Sequence, residues 1–101
     1  MQADIIWSDQ AKDDLDAILA YINLESPSSA RRYIEGLVSG CDKLRAFPAI
    51  GRAFNSKYRV LVHRNHLIFD NFTEATNEIV VAKVIDGLSD YAQTFKALLK
   101  D

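Results

Sequence analysis

The chain has 101 residues, of which 49% are hydrophobic and 26% charged, and its formal net charge is −2. These values are ordinary for a globular protein, and the length fits one domain over residues 1–101. No apolar run approaches the roughly 20 residues that span a bilayer, and residues 1–4 include an acid where a secretory signal carries bases, so we expect a cytoplasmic protein outside the membrane.

Two capped helices are predicted after a short first strand. Residues 3–7 are rich in strand-forming side chains. Ser8 then offers an oxygen to cap a helix whose apolar residues follow helical spacing and end near Asn23. Ser26 and Pro27 begin a second helix, because proline fits the first helical position. The short link between the helices predicts an antiparallel helical hairpin.

The second helix combines an apolar face with two glycines. The apolar face is predicted to continue to Leu44. Gly36 and Gly40 each weaken a helix by roughly 1 kcal/mol relative to alanine, so we expect their small size to let the first helix approach closely. Cys41 is expected to be a small buried hydrophobe, because nothing nearby stabilises a thiolate. As the one cysteine, it forms neither an internal disulfide nor a Cys-based zinc site.

Three later strands predict a sheet. Residues 57–63 and 67–72 alternate on either side of a turn, as in a β-hairpin. Residues 78–85 are nearly all apolar, which places that strand at the sheet centre, buried on both faces. Ser89 is expected to cap a short C-terminal helix. The predicted fold is α+β: an N-terminal strand, then an antiparallel helical hairpin packed on a mainly antiparallel four-stranded sheet (β-α-α-β-β-β).

Charge is distributed unevenly along the chain. Residues 4–25 hold six acids and one base, whereas residues 43–64 hold six bases and no acid. We therefore expect an acidic helix face and a basic patch near the hairpin. Proteins that depend on phosphate contacts are usually basic overall. A local patch fits an acidic protein partner at least as well as a nucleic acid.

The two histidines give little support for catalysis. His63 and His66 flank the hairpin turn, Arg64 between them would repel a metal cation, and no third ligand is evident. We favour solvated turn histidines over proton transfer or metal binding. There is no Ser/His/Asp arrangement and no Gly-rich loop after a strand, so neither a cofactor nor a metal is expected.

The carboxylates are assigned structural roles. Asp13, Asp14 and Asp16 are expected to form a solvated face of the first helix. Asp70 and Asp86 end apolar strands, where a carboxylate usually meets solvent or a neighbouring base. The Asp-Gly pair at the second of these favours a turn.

Arg59 has two interpretations that stay open on the residues themselves. It lies in an alternating strand with its side chain off one face. A lone strand arginine often pairs with an acid across the sheet. It is equally suited to contact a partner or target.

Short motifs are spread over most of the chain. They are Trp7-Ser8, Asp14-Leu15 with Ile18 and Tyr21-Ile22, Ser26-Pro27 with Ala30, Leu44, Pro48, Gly51-Arg52, Tyr58-Arg59-Val60-Leu61-Val62 and His66-Leu67-Ile68. Together and in this order they resemble the RelE/ParE superfamily of small bacterial toxins, and within it the ParE branch.

Resemblance to the ParE branch implies the toxin of a type II toxin–antitoxin system, a class linked to plasmid stabilisation. Such a protein would inhibit DNA gyrase by binding, without being an enzyme, and a cognate ParD-like antitoxin would neutralise it. The antitoxin would lay a helix, with or without an added strand, across the helical hairpin and sheet edge. No sequence-specific nucleic-acid binding is expected of the toxin alone. The residues expected to bind partner or target are Arg52, Lys57, Arg59, Arg64, Asp86, Tyr91 and Phe95.

Resemblance to the RelE branch implies the alternative, a ribosome-dependent mRNA endonuclease. Arg59 matches the strand arginine of that branch, but the last strand ends in Asp86 rather than Arg or His, and a carboxylate would repel a scissile phosphate. In this alternative the residues that hold RNA are Arg52, Lys57 and Arg59, and Tyr91 or His63 transfers the proton. A non-toxic, binding-only family member is the third possibility.

Overall fold

A helical hairpin lies against one face of a five-stranded sheet. The computed structural model describes residues 2–87. Its elements are β1 (Asp4–Trp7), α1 (Asp9–Asn23), α2 (Pro27–Cys41), α3 (Lys43–Ala46), β2 (Arg52–Ala53), β3 (Arg59–His63), β4 (His66–Thr73) and β5 (Glu78–Asp86). The α+β class is confirmed, but the sheet has five strands rather than four. The predicted C-terminal helix from Ser89 lies outside the described residues.

Both predicted helix starts are confirmed by side-chain caps. Ser8 Oγ accepts a hydrogen bond from the Ala11 N–H at 3.0 Å. Ser26 Oγ accepts one from the Ser29 N–H at 3.3 Å, and Pro27 occupies the first helical position. Each cap satisfies one of the backbone N–H groups that lack a partner in the first turn and contributes about 1 kcal/mol. The start of each helix is therefore set by neighbouring residues.

α2 is shorter than predicted. It ends at Cys41, whereas the sequence predicts a helix that includes Leu44 and stops at Pro48, and α3 follows after Asp42. The Asp42 N–H bonds the Ser39 carbonyl at 3.1 Å. This bond reaches three residues back instead of four, which tightens the backbone and interrupts the α-helix. Leu44 is nevertheless fully buried, so the apolar face continues across the break.

The strands lie in the order β1-β5-β4-β3-β2. β3, β4 and β5 form the expected antiparallel meander, and β1 pairs in parallel with β5. The central strand is β4, and β5 mixes buried with half-buried residues, so the prediction of β5 as a doubly buried central strand is wrong. β2 was not predicted because two residues are too few to show an alternation, and it exists through its pairing with β3.

Apolar side chains are buried on both faces of the sheet. On the helix side, Leu37 and Cys41 of α2 pack in one cluster with Ile68 of β4. On the other face, Phe69 is fully buried and meets the Phe54 ring edge-on, with 5.2 Å between ring centroids. Cys41 is thus the buried hydrophobe that was predicted, and burial raises the pKa of its thiol to about 12.

The two α2 glycines do not serve to bring α1 close, contrary to the prediction. A Cβ placed on Gly36 would have no atom within 4 Å. A Cβ placed on Gly40 would lie 3.3 Å from Nδ1 of His63. Gly40 therefore makes room for an imidazole of β3 rather than for α1.

A β-bulge ties the start of α1 to the sheet. The pairing of β4 with β5 shifts between Phe69 and Asp70, which leaves Ala82 as the extra residue of β5. A bulge leaves backbone groups outside the ladder. Ser8 Oγ donates to the Ala82 carbonyl at 2.8 Å, so the residue that caps α1 also satisfies the bulge.

Asp14 is a second link between α1 and β5, and the prediction that it belongs to a solvated face is wrong. Its Oδ2 accepts a hydrogen bond from the Val84 N–H at 2.9 Å. Its Oδ1 lies 3.7 Å from Nζ of Lys83. Asp13 and Asp16 are exposed, as expected. The difference arises because α1 packs across β5, a contact between residues far apart in the chain.

Candidate partner-binding site

Three of the predicted binding residues lie on one hairpin. Arg52 is on β2, Lys57 is in the connecting loop and Arg59 is on β3, where Ala53 is its partner in register. Arg52 and Lys57 are exposed, and Nζ of Lys57 lies 5.2 Å from the centroid of the Tyr58 ring. Arg59 is half-buried. We call residues 52–59 the basic hairpin.

Arg59 holds the loop that leads into β2. Its Nη1 donates to the Gly51 carbonyl at 3.0 Å and to the Ala49 carbonyl at 3.5 Å. Gly51 is buried, and a Cβ there would lie 3.0 Å from the Val60 carbonyl oxygen, so only glycine lets the loop pack this closely on β3. The hydrogen bonds of Arg59 therefore position its own chain's backbone.

Asp70 lies directly opposite Arg59 in the β3–β4 register. It was predicted to end its strand, but it lies within β4 and is completely buried. Within residues 2–87, no group hydrogen-bonds either of its carboxylate oxygens. Burial raises the pKa of Asp70 to about 6, although the charge of Arg59 acts to lower it. A carboxylate without a hydrogen-bond partner thus lies next to the basic hairpin, which costs stability once it is ionised.

His66 is buried and His63 is half-buried, so neither is the fully solvated turn histidine that was predicted. His66 is 7% exposed, and its Nδ1 lies 2.6 Å from the Tyr33 hydroxyl oxygen in a hydrogen bond. His63 is half-buried and meets the Tyr33 ring edge-on, with 5.6 Å between centroids. Burial lowers the pKa of both imidazoles. The turn pattern does not reveal this, because Tyr33 comes from α2.

Arg64 and Asp86 lie at the other end of the β3–β4 pair from Arg59 and do not join the basic hairpin. Arg64 occupies the β3–β4 turn with φ of 55°, and Asp86 is the register partner of His66 at the end of β5. Arg64 follows Arg59 by five residues, or about 16 Å along an extended strand. Tyr91 and Phe95 lie outside the described residues. The five described residues of the predicted set therefore do not all lie at the basic hairpin.

Residues 46–50 form an apolar surface that was not predicted. Phe47 is 64% exposed and Ile50 is 46% exposed. Together with Ala46, Pro48 and Ala49 they line a hollow of about 640 Å³. The signal was present in the sequence, since these apolar residues interrupt a stretch otherwise marked by bases. We call residues 46–50 the apolar corner.

The basic hairpin offers cations to a binding partner, and the apolar corner offers exposed apolar side chains. Within residues 2–87, no group of three or more His, Cys, Asp or Glu side chains is placed to hold a metal ion. No described helix is long and apolar enough to cross a membrane. The basic hairpin and the apolar corner are suited to bind acidic and apolar groups of another molecule.

A comparison with protein families identifies the chain. The sequence model described as "ParE toxin of type II toxin-antitoxin system, parDE" matches residues 5–91. The chain belongs to the ParE toxin family. The resemblance stated from the motifs is thereby confirmed, and a search of curated proteins found no match.

Solved structures share the fold of this ParE-family chain. A structure titled as a chromosomal ParDE toxin–antitoxin system from P. aeruginosa is similar with a TM-score of 0.71 and 23% identity, over 84% of this chain and 96% of that one. The toxin–antitoxin complex RelBE2 from Mycobacterium tuberculosis is similar with a TM-score of 0.67 and 12% identity, over 85% of this chain and 92% of that one. At these identities the likeness shows the fold.

Proposed function

We propose that this ParE-family toxin acts in the cytoplasm by binding DNA gyrase, and that a ParD-like antitoxin neutralises it in a complex. The observation that supports binding over catalysis is that neither histidine lies beside the cations of the basic hairpin, while Asp70, the acid opposite Arg59, is completely buried. His63 follows Arg59 by four residues, or about 13 Å along the strand, and His66 is buried against Tyr33. RNA cleavage requires a cation and a proton-transfer group at one phosphate.

Inhibition by binding needs only a complementary surface. The exposed cations of the basic hairpin attract an acidic protein surface, which speeds encounter and sets orientation. The chain itself carries a net charge of −2, which disfavours general binding to nucleic acid. We therefore assign no sequence-specific nucleic-acid binding to the toxin on its own.

The test is a pulse-label of DNA and protein synthesis in one culture, within minutes of inducing the chain alone. We expect DNA synthesis to fall first while translation continues. An earlier collapse of translation would overturn the gyrase assignment. Antitoxin binding is tested separately, by co-purification with the protein encoded beside the toxin.

Arg59→Ala is expected to weaken the effect on DNA synthesis several-fold, because the loop that carries the apolar corner loses its two hydrogen bonds to Nη1. Arg31→Ala removes an exposed arginine of α2 and is the matched control. The same cultures are examined for cleaved mRNA. Cleavage that disappears with Arg59→Ala would show a nuclease instead.

The second candidate is a RelE-like mRNA endonuclease, and the fold shared with the RelBE2 complex is what favours it. The three cations of the basic hairpin would hold RNA, and His63 or Tyr91 would transfer the proton. Replacing both, as His63→Ala with Tyr91→Phe, should then reduce cleavage by roughly 10² or more. Intact ribosome-bound transcripts in cells making the unmodified toxin would remove this candidate.

A further inference from the structure

Two large side chains of the apolar corner are exposed to solvent instead of being packed in the core. Phe47 and Ile50 are 64% and 46% exposed, and they follow one turn of helix whose Leu44 is fully buried. Single exposed apolar residues are common on protein surfaces. Two large ones that line the same shallow, open depression form a patch, and a patch of this kind marks a binding surface.

The corner is held in place by the rest of the fold. The Ile50 N–H bonds the Phe47 carbonyl at 3.1 Å, and the Phe47 N–H bonds the Lys43 carbonyl at 2.9 Å. Nη1 of Arg59 bonds the carbonyls of Ala49 and Gly51 from β3. The two side chains are therefore presented on an ordered loop, and a partner would not have to order it on binding.

The chain segments on either side of the corner are positively charged, although Glu74 lines a neighbouring hollow together with Pro48 and Ala49. Lys43 precedes it and Arg52 follows it, and both side chains are exposed and form no ion pair within residues 2–87. Arg45 also flanks it, with Nε 3.7 Å from an Asp42 carboxylate oxygen in an exposed pair. From residue 43 to residue 64 the chain has no acid. A segment that covers the corner therefore gains from carrying acids beside its apolar side chains.

We propose that the apolar corner is an anchor point for the antitoxin, and that it receives a segment in which one or two large apolar side chains are flanked by Asp or Glu. The apolar side chains pack on Phe47 and Ile50, and the acids meet Lys43 and Arg52. This inference rests on the proposed antitoxin complex and assigns part of its contact surface. A second copy of the toxin at the same corner would bring like charges together, which disfavours self-association there.

The experiment measures the affinity of the full chain for the antitoxin encoded beside it, by titration calorimetry with purified proteins. Ile50→Ser is compared with Ile6→Ser, because Ile6 is 42% exposed on β1 at the opposite edge of the sheet. We expect Ile50→Ser and Phe47→Ser each to weaken binding at least tenfold and Ile6→Ser to leave it within about twofold. Thermal unfolding of each variant verifies that it folds.

The contribution of positive charge to antitoxin binding is tested with two substitutions of Arg52. Arg52→Glu should weaken binding and reduce its dependence on salt, whereas Arg52→Lys keeps the charge and should retain most of the affinity. If the corner variants fold and bind the antitoxin as tightly as the unmodified toxin, the anchor proposal is wrong, but the proposed antitoxin complex is not contradicted. Failure of the unmodified toxin to bind would instead contradict the proposed function. Gel filtration that shows a toxin dimer lost on Phe47→Ser would assign the corner to self-association and overturn the proposal.

Discussion

Asp70 is the residue whose environment conflicts most with its chemistry. It is completely buried, and within residues 2–87 neither carboxylate oxygen has a hydrogen-bond partner. Its register partner Arg59 bonds the loop carbonyls instead. An ionised carboxylate in this position disfavours the folded state. Stability at neutral pH is therefore lower than the apolar packing around it would give.

Asp70→Asn is expected to raise the free energy of unfolding at pH 7. The pKa rises from 3.8 in a free carboxyl group to about 6 in the folded state, so the folded protein holds the proton more tightly than the unfolded chain. The stabilisation by this proton is complete below about pH 4 and is lost as the pH rises through 6. A rise of about 2 in pKa corresponds to about 3 kcal/mol.

Urea unfolding between pH 4 and pH 7.5 measures this difference. The gap between Asp70→Asn and the unmodified protein should widen as the pH rises, because asparagine does not titrate. Asp13→Asn, at an exposed position of α1, is the control and should follow the unmodified curve. A constant difference in the free energy of unfolding across this pH range would contradict a raised pKa for Asp70.

The hydrogen bond between half-buried Tyr33 and buried His66 gives a second prediction, in which the substitution lowers stability. Tyr33→Phe keeps the ring and removes the hydroxyl, which leaves Nδ1 of the buried imidazole without its partner. We expect a loss of about 1–3 kcal/mol in the free energy of unfolding. Tyr21→Phe is the matched control, because that ring is 76% exposed. Equal loss in both variants would show that the hydrogen bond contributes nothing.

At the scale of elements, alanine substitutions at two glycines distinguish the effect of close packing on stability from the effect of helix propensity. Gly51→Ala places a Cβ 3.0 Å from the Val60 carbonyl oxygen, and backbone does not yield easily, so we expect a loss of about 1–3 kcal/mol. Gly36→Ala meets no atom within 4 Å in the middle of α2 and should gain about 1 kcal/mol. Thermal unfolding of the pair is the measurement, and shifts of the same sign would refute the packing argument.

Elements with local signals were predictable, and contacts between distant elements were not. The caps at Ser8 and Ser26 depend on bonds three residues long, so sequence spacing revealed them. The Asp14 bond to β5 and the Tyr33 bond to β4 join residues far apart in the chain, and periodicity does not encode which partner a polar side chain will meet. For the same reason the run of bases in residues 43–64 was recognisable, while the pairing of β2 with β3 and the separation of Arg64 from that hairpin were not.

At the scale of the whole molecule, a run of bases and the exposed side chains of Phe47 and Ile50 occur together in one part of the chain. Six of the 14 acids lie in residues 4–25 around α1, while six of the 12 bases lie in residues 43–64, which include the apolar corner and the basic hairpin and hold no acid. An uneven distribution of this kind orients an approaching partner without requiring a high net charge. The region from α3 to β3 thus combines orientation by charge with an apolar anchor on an ordered loop.

A toxin that inhibits by binding through such a surface must act stoichiometrically, so the amount of toxin needed depends on the amount of target. In a supercoiling assay with purified gyrase, we expect the concentration of toxin that halves the activity to rise as the gyrase concentration is raised, because each bound complex consumes one binding surface. Equimolar antitoxin added beforehand is the control and should abolish the effect. Inhibition by toxin at a small fraction of the gyrase concentration, growing steadily with time, would instead indicate turnover, and the chain would then have to be treated as an enzyme.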